Sequence, residues 1–341
     1  MFSNGGASRR IETSSGTHRS VRGTFLRRVH KLAVLGTVCV WLALLAGLLG
    51  RVAWPFDLFA HFRIQYAALF VLLTLVLLLL RRWVVALAAV IGLGVSAVPL
   101  VPYVIKDSSA IPAATAAAQS GAPTFRLLTF NVWFRNPDMA STAAYIEQSQ
   151  ADAVVLQELT PSQAETLRPL LPSYPYYHIE PSRMGSAVFT KWPVISAESV
   201  PLAKEGAIAA HMQIDWRGLP VTVLGVHLNW PLGPRNSAFR NEELAGVVAF
   251  AKTQQGPLLV AGDFNLTPWS EYFRDALAAS GLHDAARGFG LARSWPAQFA
   301  PLAIRIDHCL LSPHWRSVSV RRGPWLGSDH LPVVADLSLQ Q

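Results

Sequence analysis

The sequence predicts a chain in two parts. Three transmembrane helices, at about 32–50, 64–80 and 83–105, precede an α/β domain over 124–341 that reads as a mixed-sheet sandwich with helices outside. Three observations predict this. The 341 residues are 51% hydrophobic and only 15% charged, with a mean hydropathy of +0.30. Such a composition excludes a disordered or fibrous chain and argues against a purely soluble one. The charge-free apolar residues fall in three runs before residue 106. Beyond residue 123, strand-like runs outnumber helical ones and often follow each other directly, unlike a doubly wound parallel sheet.

Charge divides along the same boundary. Residues 1–123 hold 12 Lys/Arg and 3 Asp/Glu, a balance of +9, whereas residues 124–341 hold 17 and 18, a balance of −1. The overall +8 therefore belongs to the N-terminal part and gives the second part no general cationic surface. Arg135, Arg183, Arg235, Arg240 and Arg293 are the candidates for a local cationic patch. Cys39 and Cys309 form neither a disulfide framework nor a metal-binding pair by spacing.

The three apolar runs, bounded by Lys31 and Arg51, Arg63 and Arg81, and Arg82 and Lys106, are 19, 17 and 23 residues long. A helix of about 20 residues crosses a hydrocarbon core of roughly 30 Å. The second run is shortest, but Arg63, Arg81 and Arg82 can snorkel outward. Trp41, Trp54, Trp83 and Tyr103 include rings near the expected interfaces. A cleaved signal peptide fits the first run less well, because two more spans follow at once and no small-residue cleavage site closes it.

Residues 1–31 form a basic tail with Arg9, Arg10, Arg19, Arg22, Arg27, Arg28 and Lys31 against Glu12 alone. The positive-inside rule puts this tail and Arg81–Arg82 in the cytoplasm. Three crossings then place the C-terminal domain on the extracytoplasmic (periplasmic) side of the inner (plasma) membrane. Residues 106–123, KDSSAIPAATAAAQSGAP, read as a flexible linker spanning roughly 25 Å.

Within 124–341, FRLLTFNVW is a strand by its branched and aromatic content. Residues 138–149 have helical spacing, and DAVVLQE is a short buried strand. Thr160 caps and Pro161 opens the next helix. Five short strand-like runs lie between Tyr174 and Leu228. A long helix follows from Asn236 to Thr253, with EELAGVVAFA as ordinary amphipathic packing. PLLVAGDFN is a strand, residues 269–279 a helix, and RIDHCLL, SVSVRR and PVVADLSL are closing strands.

Polar residues recur at the C-terminal ends of apolar runs: Asn131, Glu158, His227, Asp263 with Asn265, Asp307, and Asp329 with His330. Strands ending this way deliver their polar groups to one rim. Clustered carboxylates repel unless a cation neutralises them, and hard oxygen donors without cysteine suit Mg²⁺ or Mn²⁺ rather than zinc.

The segments TFN (129–131), QE (157–158), HLN (227–229), GDFN (262–265), IDH (306–308) and SDH (328–330) resemble, in order and spacing, the endonuclease/exonuclease/phosphatase (DNase I-like) superfamily, and the tethered arrangement is similar to its membrane-anchored YafD-like branch. The resemblance spans essentially all of 124–341 and none of 1–123. It implies a DNase I-like fold, a four-layered sandwich of two mixed β-sheets flanked by helices, and a Mg²⁺- or Mn²⁺-dependent hydrolase of phosphoric esters. Glu158 would be the main metal ligand, with Asn131 near metal or phosphate and Asp329 a further metal ligand. Asp263 and Asn265 would position the attacking water and a phosphate oxygen. His227 would hydrogen-bond the phosphoryl group. Asp307 would fix the tautomer of His330, which would contact phosphate or move a proton. Whether Asp263 or His330 is the general base stays open. Trp133 stands where some apurinic endonuclease relatives carry an acidic residue, which weakens the nuclease comparison.

The expected partners are the lipid bilayer and a phosphoester substrate: a phospholipid or small phosphoester first, nucleic acid second. A non-catalytic membrane-tethered binding module is a third reading, disfavoured by the complete polar set. His178, His211, His283, His308 and His314 are placed outside the site. Ser294–Trp295–Pro296 reads equally as a cleft loop or a turn. Trp230, Trp269, Trp295 and Trp325 are read first as core residues and second as rim contacts for an apolar substrate.

Overall fold

The structure is a computed structural model that describes residues 15–105 and 123–340. The start of the expected basic tail and almost all of the expected linker lie outside the described residues.

Helix α1 (Ser15–Gly47) begins well before the apolar run expected from residue 32. Helices α2 (Trp54–Ala60) and α3 (Arg63–Leu79) meet at a bend of 60°. Helix α4 (Trp83–Ala97) passes through a 3₁₀ turn (Val98–Leu100) into α5 (Val101–Val104). Thr24–Gly47 and Trp83–Val104 are long and apolar enough to cross a membrane, and the bent pair is a third candidate. Leu44, Phe70, Leu77, Ala86 and Ala89 pack between these helices. Gly92 is required there, since a Cβ would lie 2.4 Å from the Phe70 ring. Leu42, Leu72, Leu75, Leu87 and Ile91 point outward and exposed, a surface that an aqueous domain would bury.

The second part contains two six-stranded sheets. One has the order β11 (Trp315–Arg322), β12 (Val333–Leu339), β1 (Phe125–Asn131), β2 (Ala153–Leu159), β4 (Gly185–Thr190), β3 (Tyr176–Ile179). The other has the order β5 (Val194–Pro201), β6 (Ile208–Trp216), β7 (Leu219–His227), β8 (Leu258–Asp263), β10 (Asp307–Leu311), β9 (His283–Asp284). The two-residue β9 had no signal in the sequence. Each sheet holds one parallel pair, β1–β2 and β7–β8, among antiparallel neighbours. The sheets bury Leu127, Val155, Val188, Met212, Val223, Leu259 and Ala335 between them. Helices α6 (Met139–Ser149) and α7 (Pro161–Leu167) cover one outer face, and α8 (Pro234–Thr253) and α9 (Glu271–Ser280) the other. Thr160 and Gln163 form a capping box at the start of α7, as Thr-Pro predicts.

The apolar helices dock directly against this sandwich. Arg51 pairs with Glu271 at 3.1 Å and Asp275 at 2.7 Å. Asp57 pairs with Arg240 at 3.0 Å, both fully buried, and Ser270 Oγ donates to Asp57 at 2.8 Å. His61 Nδ1 lies 2.9 Å from Thr267 Oγ1, and Trp269 Nε1 donates to the His61 carbonyl. Gln65 donates to the carbonyls of Pro301 and Ala303. The N–H groups of Gly288 and Gly290 donate to the carbonyls of Pro102 and Tyr103. Arg240, a candidate for a cationic surface patch by sequence, is thus withdrawn into an interior ion pair. Glu243, read as part of an ordinary amphipathic helix, is also buried, where it accepts from Asn229 and from the N–H of Ala207.

Candidate active site

Strand direction brings the polar strand ends together. Asn131 ends β1 beside Gln157 of the parallel β2, and His227 ends β7 beside Asp263 of the parallel β8. Asp307 begins the antiparallel β10 directly opposite Asp263. His330 precedes β12, whose first residue Val333 lies opposite Thr129. All of these positions fall at one end of the two sheets.

Backbone geometry sharpens the convergence. A register irregularity between Leu156 and Leu159 turns Glu158 out of its strand with φ 57°, and Asn265 has φ 51°. Non-glycine residues rarely adopt this region, and such strain gathers at functional sites. Gly262 (φ +148°) lets β8 approach β7, because a Cβ there would fall 1.8 Å from the Val226 carbonyl oxygen.

The side chains form one network. Asn131 Nδ2 donates to Glu158 Oε1 at 3.0 Å and to Asp263 Oδ2 at 3.1 Å. The Trp133 N–H donates to Asn131 Oδ1 at 3.0 Å, so the amide faces the carboxylates with its NH₂ rather than its oxygen. His227 Nε2 lies 3.8 Å from Glu158 Oε1 and 3.9 Å from Asp263 Oδ2. His330 Nε2 lies 3.6 Å from Asp263 Oδ2, and its Nδ1 is 2.8 Å from Asp307 Oδ2. Asp263, Asp307 and His330 are buried, whereas Glu158 and His227 are part-exposed. The network therefore has a closed floor and an accessible upper tier.

Two expected site residues stand at the margin. Asn265 donates its side-chain N–H to the Leu228 carbonyl at 2.8 Å and acts on Asp263 Oδ1 through its main-chain N–H, also 2.8 Å. The Asp329 carboxylate accepts from Trp295 Nε1 at 3.1 Å. Among the described residues, the His/Cys/Asp/Glu group whose ligand atoms lie within 4.8 Å of one another is Asp263, Asp307 and His330. This differs from the expected ligands Glu158, Asn131 and Asp329. Asp307 Oδ1 and Asp329 Oδ1 are buried without a hydrogen-bond partner. Orphaned carboxylate oxygens of this kind, one of them on the residue directly opposite Asp263, are donors that fit a hard divalent cation.

Burial, reinforced by the Asp307 charge, raises the Asp263 carboxyl from 3.8 to about 6, although His330, His227 and the Asn265 N–H oppose the shift. Burial works against a charged His330, yet the Asp307 carboxylate at its Nδ1 outweighs it, with help from Asp263 and Asp329, and the imidazole is raised to about 10. The Asp307 contact thus favours the imidazolium form of His330, and the stability this contributes is complete below 6.5 and lost as pH rises through about 10. For Asp263, the corresponding contribution is present below 3.8 and lost as pH rises through about 6. Above that range the ionised carboxyl is a strain that a bound cation would relieve. Saturating Mn²⁺ should accordingly raise the melting temperature more near pH 8 than near pH 5. Equal shifts in a thermal-unfolding titration would place the cation elsewhere.

Several supports had only weak sequence signals. Ser328 Oγ donates to the Asn131 carbonyl at 2.7 Å and accepts from the His330 N–H at 3.0 Å, locking the SDH segment to the end of β1. Ser294 Oγ accepts from the Asp307 N–H, so Ser294–Trp295 is a cleft loop and not a mere turn. Trp269 is buried as expected, but Trp230 and Trp325 are exposed and not core residues. His308, set outside the site by sequence, is a buried core residue bonded to the Leu266 carbonyl at 2.8 Å.

The comparisons with known proteins agree with this geometry. Residues 128–330 match the family model described as the Endonuclease/Exonuclease/phosphatase family. No curated protein matches the chain by sequence. Among solved structures, an endonuclease/exonuclease/phosphatase from Bacteroides vulgatus is similar over 64% of this chain and 100% of its own, with TM-score 0.56 and 20% identity. A mannosyl-6-phosphatase from Bacteroides thetaiotaomicron is similar over 63% of this chain and 100% of its own, with TM-score 0.53 and 17% identity. A humanized TDP2 from D. rerio gives TM-score 0.54 and 17% identity over 63% of this chain and 99% of its own. At such identities the likeness establishes a shared fold. The match across 128–330, with the six motif segments meeting at one end of two mixed sheets, makes this chain a member of the endonuclease/exonuclease/phosphatase family.

Proposed function

We propose that the chain is a membrane-anchored, divalent-metal-dependent phosphoester hydrolase acting on a phospholipid or another small phosphoester. The observation that carries this reading is the single network joining Asn131, Glu158, His227, Asp263, Asp307 and His330.

Glu158, at the accessible tier and beside Asp263, is the residue that would hold Mg²⁺ or Mn²⁺, with Asp329 offering a further oxygen. Bound there, the ion would relieve charge on the phosphoryl oxygens and acidify water. Asn131 sets the spacing of the two carboxylates through its NH₂. Asp263, ionised near neutral pH, takes the proton of the attacking water. His330, kept positive by Asp307, stabilises charge that develops on the phosphoryl group, and His227 adds a second donor. Asp263 rather than His330 is the base in this reading because the Asp307 carboxylate, 2.8 Å from Nδ1 of His330, favours the charged imidazole, whereas Asp263 has no cationic Lys or Arg against it among the described residues.

Anchoring is supported by the docking contacts. They hold the 51–65 segment and the end of α4–α5 on the side of the catalytic domain, as an odd number of crossings requires. With the N-terminus cytoplasmic, a reporter that is active only in the cytoplasm should be silent when fused after Gln341. An active reporter would reverse the topology.

The enzymatic reading is tested on the full-length chain in detergent with Mn²⁺, against phospholipids, inositol phosphates, sugar phosphates, aryl phosphodiesters and plasmid DNA. Turnover of a non-nucleic phosphoester is expected. A nuclease is the second reading, and the balance of −1 over residues 124–341 gives it no general cationic surface for DNA. Plasmid nicking in the absence of any other turnover would favour it. Failure on the whole panel would leave a binding module.

A further inference from the structure

One short segment touches both the catalytic network and the mouth of the helical hairpin that α2–α3 and α4 form. On its inner side, Trp295 Nε1 donates to Asp329, the Ala297 N–H donates to the Asp329 carbonyl at 2.7 Å, and Gln298 donates to the Ser328 carbonyl at 3.1 Å. On its outer side, Gln65, in the first turn of α3, donates to the carbonyls of Pro301 and Ala303 at 3.2 Å each. Between these anchors lies the 3₁₀ turn Ala300–Leu302. It presents Phe299 and Leu302 at 52% and 48% exposure.

Apolar side chains held open beside an active site need a reason to be there. The turn is not a loose tip, because its carbonyls are fixed by Gln65 and, at Ala300, by the Arg293 guanidinium at 3.0 Å. Arg322 in turn donates to the Arg293 carbonyl at 2.8 Å. Neither arginine has a carboxylate partner among the described residues, and their mutual repulsion adds to partial burial in lowering the Arg322 guanidinium below its ordinary value. Two cations without carboxylate partners, bonded to the same segment that exposes two apolar side chains and that Gln65 ties to the first turn of α3, supply the two chemistries of a phospholipid leaflet: phosphate outermost, acyl chain within.

We propose that the 298–303 turn is a membrane-contact lip of the catalytic mouth, with Phe299 and Leu302 seated in the interfacial layer of the bilayer and Arg293 and Arg322 against lipid phosphate. This rests on the reading of α1, α2–α3 and α4–α5 as membrane spans. Through Trp295 and Gln298 the lip is continuous with Asp329 and Ser328, so a phosphoester at the lipid–water boundary meets the catalytic network without leaving the leaflet.

The test uses the full-length chain in phosphatidylcholine–phosphatidylglycerol vesicles containing a lipid with a nitroxide high on its acyl chain. A bimane label is placed on Leu302→Cys, and separately on Phe299→Cys, in a Cys39→Ala background; Cys309 is buried and remains unlabelled. Ile195→Cys, exposed on the distant edge strand β5, is the control. The labels at 302 and 299 should lose most of their fluorescence while the label at 195 keeps its own. Quenching at 302 and 299 no greater than at 195 would overturn the lip. With Arg293→Gln and Arg322→Gln combined, quenching at 302 should weaken, and unchanged quenching would remove the arginines from the contact. A label on the native Cys39, exposed on α1, read against a deep nitroxide, tests the span reading by itself. If Cys39 is quenched and Leu302 is not, the lip alone falls; if neither is quenched, the span reading falls with it.

Discussion

Asn in place of Asp307 is expected to lower turnover of a phosphodiester about 10²–10³-fold, the usual cost of losing one preorganised charge-stabilising group. The side chain would still fit between β8 and β10, where it is fully buried opposite Asp263. What disappears is the charge that holds His330 as an imidazolium. Burial is then opposed only by the weaker help of Asp263 and Asp329, and the imidazole pKa falls from about 10. The wild-type rate should decline on the alkaline side as His330 loses its proton, and in the variant that decline should move to lower pH. A pH–rate profile of Asp307→Asn that matched wild type in height and position would show that His330 does not act through this pair. His330→Gln, which keeps a donor but no charge, should fall as far as Asp307→Asn and show no alkaline limb.

Arg240→Met should destabilise the protein by about 3–5 kcal/mol, the range for breaking a buried ion pair from one side. Arg240 and Asp57 are both fully buried at 3.0 Å, so the surviving Asp57 would keep only Ser270 as a partner. The lone charge costs more than the pair contributed. The combined variant Asp57→Leu with Arg240→Met should therefore recover much of the loss, as replacement of a whole buried pair often does. Thermal unfolding of the full-length chain in detergent reads both variants. A melting temperature unchanged in Arg240→Met would mean that the hairpin does not dock on α8 and α9 as described.

The sequence carried the core of the site because each motif residue stands at or beside one end of an apolar strand, Asn131, His227 and Asp263 closing theirs and Asp307 opening its own, and a strand end in a sandwich reaches a rim whatever the loops do. Asn131, His227, Asp263 and Asp307 needed only the strand assignments and the pairing direction to come together. The capping box at Thr160 was legible for the same reason, since it depends on neighbours three residues apart.

What escaped depends on partners far away in the chain. Nothing local marks Arg240 as the mate of Asp57, nor Gln65 as the clamp of Pro301 and Ala303, because these contacts exist only once the hairpin docks on the sandwich. The left-handed backbone of Glu158 is set by a slip in the β2–β4 register, which strand propensity does not encode. Trp230 and Trp325, which read first as core residues, are exposed because they sit on connections outside the strands, where no alternation dictates a face. The direction in which Asn131 presents its amide was likewise out of reach, since it turns on one main-chain N–H, that of Trp133.

The most direct measurement of the central claim is turnover of an aryl phosphodiester by the full-length chain, with Mn²⁺ and with chelator, for wild type and Glu158→Gln. Wild type should turn over with Mn²⁺ and stop in chelator, and Glu158→Gln should stay folded and nearly inactive at the same Mn²⁺ concentration. Equal turnover with and without the ion, or full activity in Glu158→Gln, would contradict it.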